Sequence, residues 1–327
     1  MTPKEAPTPE VSAPRKRSRR KRIVRLLLYL LVLVFLGLVI FPAAMAWSML
    51  HPPRRHFKAT PADFGLISHD LVVDAQDAVI HGWWIVAPKP TGGTVIVCHG
   101  IGDERSTFLP EADEFARAGW DSVLIDLPGH GDSTGRVSMG LNESYDLAVV
   151  IQAVVDGHAR TPIVLYGFSL GAVAALRAGV GNPHVAGILA DSAFCRLDAT
   201  LGGPALLRAA GPLHDPLFRL VMWYGERLSG LPFDAIRNDE WAANSRGVPL
   251  LLIHGAADRV TPPSHSERIR AAASGPVVLW IIPGVGHAET FGAQGYETVL
   301  VRFLDAVLKH RDLDEVKRAI ADASHRD

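Results

Sequence analysis

The sequence predicts an α/β protein: a mostly parallel sheet covered by helices, carried behind one long apolar helix. Three observations lead there. Residues 26–50 run for twenty-five positions without a charge. From residue 67 onward, short β-branched stretches alternate with segments of helical apolar spacing, the pattern of strands joined by covering helices. Hydrophobic residues make up 48% of the 327 and charged ones 20%, which suffices for a large core and excludes a wholly disordered chain.

From the N-terminus, residues 1–14 are rich in Pro, Thr and Glu, lack a hydrophobic period and read as disordered. Nine basic residues in 1–25 (Lys4, Arg15, Lys16, Arg17, Arg19, Arg20, Lys21, Arg22, Arg25) face only Glu5 and Glu10, so this tail carries +7. The net charge of −1 therefore hides a body of −8. As a helix, residues 26–50 would reach about 37 Å, more than the ~30 Å of bilayer hydrocarbon. Tyr29 and Trp47 stand toward its ends, where interfacial aromatics are common. A buried helix of a soluble protein would show a polar face that this run lacks.

Two fates fit the span: an uncleaved anchor, or a signal peptide cut near Ala46 in the small-x-small stretch Ala44-Met45-Ala46. Its length exceeds the usual ~7–15-residue apolar region of a signal peptide, which favours the anchor. Arg19-Arg20 resembles a twin-arginine signal, but Lys21 and Arg22 stand where apolar residues should follow. Only Arg54, Arg55 and Lys58 closely follow the span, so the positive-inside rule sets the N-terminus in the cytoplasm and the body outside it. The basic cluster suits anionic headgroups, and nucleic acid is not an expected partner. Residues 51–66, with Pro52, Pro53 and Pro61, read as a linker lifting the body off the membrane.

The body is expected to occupy residues 67–310. Segments 67–73 and 78–86 read as an antiparallel pair. Strands follow at 94–98, 122–126, 162–166, 185–190, 249–253 and 277–282, with helices at 108–118, 145–155, 170–178, 264–273 and 296–309. Between about 192 and 247 the alternation lapses into a short helical insertion. Residues 311–327 read as a charged tail, and there is no internal repeat.

Five motifs stand at strand ends. Gly167-Phe168-Ser169-Leu170-Gly171 joins a strand to an Ala-rich helix, as a nucleophile elbow requires: glycines admit a sharp turn that projects the Ser169 hydroxyl. A serine hydroxyl needs a base held by a third group. His287, in the Gly-rich loop after the last strand, and Asp258, in His254-Gly255-Ala256-Ala257-Asp258, supply them in the order Ser, Asp, His. Asp191, after the strand at 185–190, is the second candidate for the acid and reads as structural.

An oxyanion needs two preorganised donors. The Leu170 amide is one; the other comes from the loop His99-Gly100-Ile101-Gly102, with Ile101 favoured and Gly102 the alternative. His99 reads as shaping that loop rather than as a base. Asp126-Leu127-Pro128-Gly129-His130-Gly131-Asp132-Ser133 reads as a structural turn at the rim. His99, His130 and His254 adjoin glycines without second ligands, weak evidence for a metal.

In family order, these motifs resemble the α/β-hydrolase superfamily over roughly residues 65–310, and within it the short-capped hydrolases grouped with serine aminopeptidases and monoacylglycerol lipases. The resemblance implies an eight-stranded sheet and a Ser169–His287–Asp258 triad; because the sequence lacks HExxH, EF-hand, Walker and Rossmann signatures, neither cofactor nor metal is expected. It leaves the substrate open, since the fold hosts esterases, lipases, thioesterases and peptidases.

The insertion carries Leu206, Leu207, Leu213, Leu217, Phe218, Leu220, Val221, Met222, Trp223 and Tyr224, which suit either an acyl chain or simple packing. No basic cluster marks a phosphate site. The strand order implied by the resemblance puts a strand between Cys98 and Cys195, so two free thiols are expected. The expected activity is that of a membrane-anchored serine hydrolase acting on a small-molecule or lipid acyl ester. The alternatives are a serine aminopeptidase and a hydrolase-like scaffold that binds without turnover. Oligomeric state is left open.

Overall fold

The computed structural model describes residues 17–55, 57, 59–197, 211–310 and 312–324. The expected disorder of 1–14, the side chains of Leu206 and Leu207, and that of Lys58 lie outside these residues.

A helix begins at Arg17 and continues to Leu50 through three segments: α1 (Arg17–Phe35), a π-helical turn (Leu36–Ile40) and α2 (Phe41–Leu50). Pro42 accounts for the widened turn. It has no N–H and its ring crowds the carbonyl four residues back; the Phe41 N–H bonds instead to Leu36 O, five back. Through Ile40 the side chains described are exposed; in α2, Pro42, Ala46 and Leu50 are buried. The described helix is long and apolar enough to cross a membrane by length and composition.

The sheet has eight strands: β1 (Ile67–Asp74), β2 (Val79–Val86), β3 (Thr94–Cys98), β4 (Asp121–Ile125), β5 (Ile163–Phe168), β6 (Val185–Asp191), β7 (Leu250–Gly255) and β8 (Val277–Ile282). Their order is β1-β2-β4-β3-β5-β6-β7-β8. The β1/β2 and β2/β4 pairs are antiparallel and all others parallel. Crossover helices α3 (Leu109–Arg117), α4 (Leu141–Asp156) and α5 (Leu170–Gly179) follow β3, β4 and β5.

Central strands are buried on both faces and so read as continuous apolar runs. Period-2 alternation then divides each strand between two layers: Ile96 and Cys98 face one, Val95 and Val97 the other. The first layer holds α4, α5, the insertion and the end of α2; the second holds α3 and the C-terminal helices.

Within the insertion lie α6 (His214–Ser229) and the short α7 (Asn238–Ala242). Phe218, Val221 and Met222 of α6 turn inward, and α2 packs along this helix. After β7 and β8 come α8 (Ser264–Ala272), α9 (Tyr296–Leu308) and α10 (Asp314–Ser324). The packed structure thus continues past residue 310: α10 lies on α9, with Leu313 and Val316 buried at helical spacing among the charges. Parts of the segment between α2 and β1 also lie against the body. Phe57 packs on Trp83, Pro61 is buried, and Thr60 and Asp63 cap each other in the turn Pro61–Phe64.

Candidate active site

The carboxyl ends of the parallel strands bring Ser169, His287 and Asp258 together, the edge where α/β sheets place ligands. Ser169 occupies the turn from β5 into α5 at φ 51°, ψ −110°. For a residue bearing a Cβ such a backbone costs about 1–3 kcal/mol. Gly167 and Gly171 admit it. A Cβ on Gly167 would stand 2.2 Å from the Gly171 carbonyl oxygen, and one on Gly171 2.2 Å from that of Cys98. The Ser169 N–H is tied across the sheet to Asp191 O at 2.8 Å.

Ser169 Oγ lies 3.2 Å from His287 Nε2, and His287 Nδ1 donates to Asp258 Oδ2 at 2.7 Å. The carboxylate has few lone pairs left. The amides of Val260 and Thr261 bond to Oδ1 at 2.8 and 3.0 Å, and the Thr261 hydroxyl to Oδ2 at 3.0 Å. His254 Nε2 donates to Thr261 O at 2.6 Å and lies 3.3 Å from Asp258 Oδ2. Burial works to raise the Asp258 pKa, but the bonds from His254 and His287 outweigh it and hold the carboxyl well below its ordinary range. The group stays ionised and can steady an imidazolium.

Sequence reasoning gave Thr261 no role and weighed His254 only as a ligand. Their signal was spacing: four residues before and three after Asp258, in one loop off a strand end.

Leu170 opens α5 directly after the serine, where the first helical amides lack a partner four residues back. Opposite, Gly100 brings the loop after β3 close: its Cβ would lie 2.8 Å from Phe168 Cδ1 and 3.4 Å from Ser169 Cβ. The Gly102 amide is occupied, donating to His130 Nε2 at 2.8 Å.

Two histidines hold that loop to the turn after β4. His99 Nε2 accepts from the Leu127 amide at 3.0 Å and its Nδ1 donates to Gly100 O at 2.7 Å. His130 Nδ1 donates to Pro128 O at 3.0 Å. The rings meet edge to face, 4.9 Å apart. With one nitrogen accepting on each ring, both are neutral, and burial pushes both pKa values down to about 4. Beside them, the buried Arg105 bridges Asp126 (2.6 Å) and Asp132 (2.9 Å). Its guanidinium stacks 4.1 Å from the Phe57 ring centre and 4.4 Å from that of Trp83.

Asp191 stands apart from the triad. Its carboxyl accepts from Thr290 Oγ1 and the Tyr296 hydroxyl at 2.7 Å each, and from Ser192 Oγ at 2.8 Å. It thereby braces the chain that follows His287. Cys98 and Cys195 are both buried and unbridged, with β5 between their strands. Burial pushes the thiols up to about 12 and about 11, far from a nucleophile's range.

A model of the family described as serine aminopeptidase S33 matches residues 89–226. The chain is 30% identical over 231 residues to the uncharacterized protein MT2364 of Mycobacterium tuberculosis (strain CDC 1551), spanning 67% of this chain and 72% of that one. It is 25% identical over 242 residues to the pimeloyl-[acyl-carrier protein] methyl ester esterase of Neisseria meningitidis, covering 61% of this chain and 90% of the other. The crystallised Pyrococcus furiosus esterase Pf2001 superposes with a TM-score of 0.64 at 23% identity, over 80% of this chain and 98% of its own. This chain belongs to the α/β-hydrolase superfamily.

Proposed function

We propose that the protein is a membrane-anchored serine hydrolase that cleaves carboxylic esters or related acyl substrates through an acyl-enzyme. The observation that carries this reading is the unbroken chain Ser169 Oγ–His287 Nε2 (3.2 Å) and His287 Nδ1–Asp258 Oδ2 (2.7 Å) on a strained elbow. Ser169 attacks the acyl carbonyl while His287 takes its proton; Asp258 holds the tautomer and the cation that results. The amides of Leu170 and Ile101 receive the developing oxyanion. His287 then protonates the leaving alkoxide, and a water it deprotonates releases the acid and restores Ser169. The esterase named among the relatives supports an ester as the substrate class.

Anchoring is supported by the same helix. Ala46, at the small-x-small stretch, is 1% exposed and Leu50 4%, both in the core shared with α6, so the folded domain uses the residues that cleavage there would divide. The flanking charges support a cytoplasmic N-terminus.

A fluorophosphonate probe tests the reading. It is expected to label the wild type and not Ser169→Ala, whose ester turnover falls at least about 10³-fold; equal labelling of both overturns the assignment. The description of the matching family favours aminopeptidase activity as a second reading. A panel of p-nitrophenyl esters against aminoacyl amides separates the two.

A further inference from the structure

We infer that the active site opens at the bilayer surface, and that its substrate is an acyl ester resident in the membrane. This rests on the anchored serine-hydrolase reading above and adds where the substrate is drawn from.

The inference follows from how the chain passes between membrane and site. Side chains from Arg19 to Ile40 are exposed, and packing on the body begins at α2. Counted from Leu26 at about 1.5 Å per residue, a ~30 Å hydrocarbon layer ends near Met45. The body therefore starts where the hydrocarbon stops, with no spacer between them.

Beyond Leu50 the path to the site is as short. Pro52, two residues and at most about 7 Å of chain further, has its Cβ 3.9 Å from where a Cβ on Gly102 would stand. Gly102 adjoins Ile101, the assigned oxyanion donor, whose side chain is 40% exposed at the rim. Arg55 pairs with Asp103 of the same loop at 3.5 Å, and Arg54 donates to Gly131 O of the facing turn at 3.2 Å. The strut leaving the membrane is thus fastened to the oxyanion loop and to the turn that faces it. Trp47, 56% exposed and stacked on His51, stands at the depth where interfacial aromatics lie. A site held there meets esters whose acyl chains remain in lipid, without a crossing through water.

The test uses the full chain reconstituted in phosphatidylcholine vesicles, beside a form in which five leucines, which complete the membrane span, and then a Gly/Ser spacer of about twenty residues stand between Ile40 and Phe41. The spacer leaves α2 on the body and adds a reach of about 25 Å. Two esters share one leaving group: 4-methylumbelliferyl butyrate in solution and the oleate dissolved in the vesicles. Both forms are expected to cleave butyrate alike, and oleate alike when it is offered in detergent micelles. On vesicle oleate the spaced form should fall about tenfold or more, because its effective concentration at the surface drops. Equal rates on vesicle oleate overturn the inference, as does a wild type that cleaves butyrate but not vesicle oleate. A wild type inert to both esters and to the fluorophosphonate strikes the serine-hydrolase reading instead.

Discussion

His130 sits in a motif with no chemistry of its own, yet its Nε2 takes up the Gly102 amide, next to that of Ile101, which is proposed to receive the oxyanion. Removing the imidazole frees Gly102 to compete or the loop to shift. Loss of a single oxyanion donor typically costs ~10²–10³ in rate, and displacing one should cost part of that. His130→Ala is therefore expected to lower kcat on a soluble ester about tenfold or more with KM little changed. Glutamine places an acceptor near the Nε2 position, so His130→Gln should recover much of the loss. Equal loss in both variants, or a rise in KM alone, would mean that the ring only fills space. Asp258 is likewise governed by neighbours: besides His287, it is surrounded by Thr261, His254 and the Val260 amide.

The elbow between β5 and α5 is decided by glycines at the element scale. α5 packs so near β3 that Gly171 leaves no room for a methyl group: the clash would be with the Cys98 carbonyl, a backbone atom that cannot rotate away. Gly171→Ala should thus force the helix off the sheet. Overpacking typically costs about 1–3 kcal/mol, and a fall in the thermal midpoint together with lost fluorophosphonate labelling is the expected result. An alanine variant as stable and as reactive as the wild type would contradict the packing described. The π turn before Pro42 is a second local solution, allowing the apolar helix to continue into α2 despite the missing N–H.

Across the whole molecule, stability should carry the mark of Glu111. This α3 side chain is 6% exposed, Oε2 has no partner among the described residues, and burial pushes its pKa from 4.5 up to about 7. The folded state then holds a proton that the unfolded chain gives up, so stability falls as pH rises from about 4.5 to about 7 and levels off above. The effect amounts to at most about 3 kcal/mol. Glu111→Gln should therefore raise the unfolding free energy at pH 8 and leave it nearly unchanged at pH 4.5, read by urea melts at both values. A gain of equal size at both would show that charge burial is not the cause.

Strand count, elbow and triad order were legible because each rests on local signals: β-branched runs, glycines at a sharp turn, a serine, an acid and a base at successive strand ends. The span was legible for the same reason, a composition that water rejects along twenty-five positions. The packing of α2 on α6, the fastening of Arg54 to the turn after β4 and of Arg55 to the loop after β3, and the continuation of the core into α10 were not. Nor was the hydrogen bond from the Gly102 amide to His130, 28 residues away. By itself, then, the sequence determined which serine, acid and histidine stand at the strand ends and that the protein has a helix able to enter a membrane. Only the tertiary structure decided how near those two features lie, because proximity between segments distant in the chain is set by packing and leaves no period or motif to read.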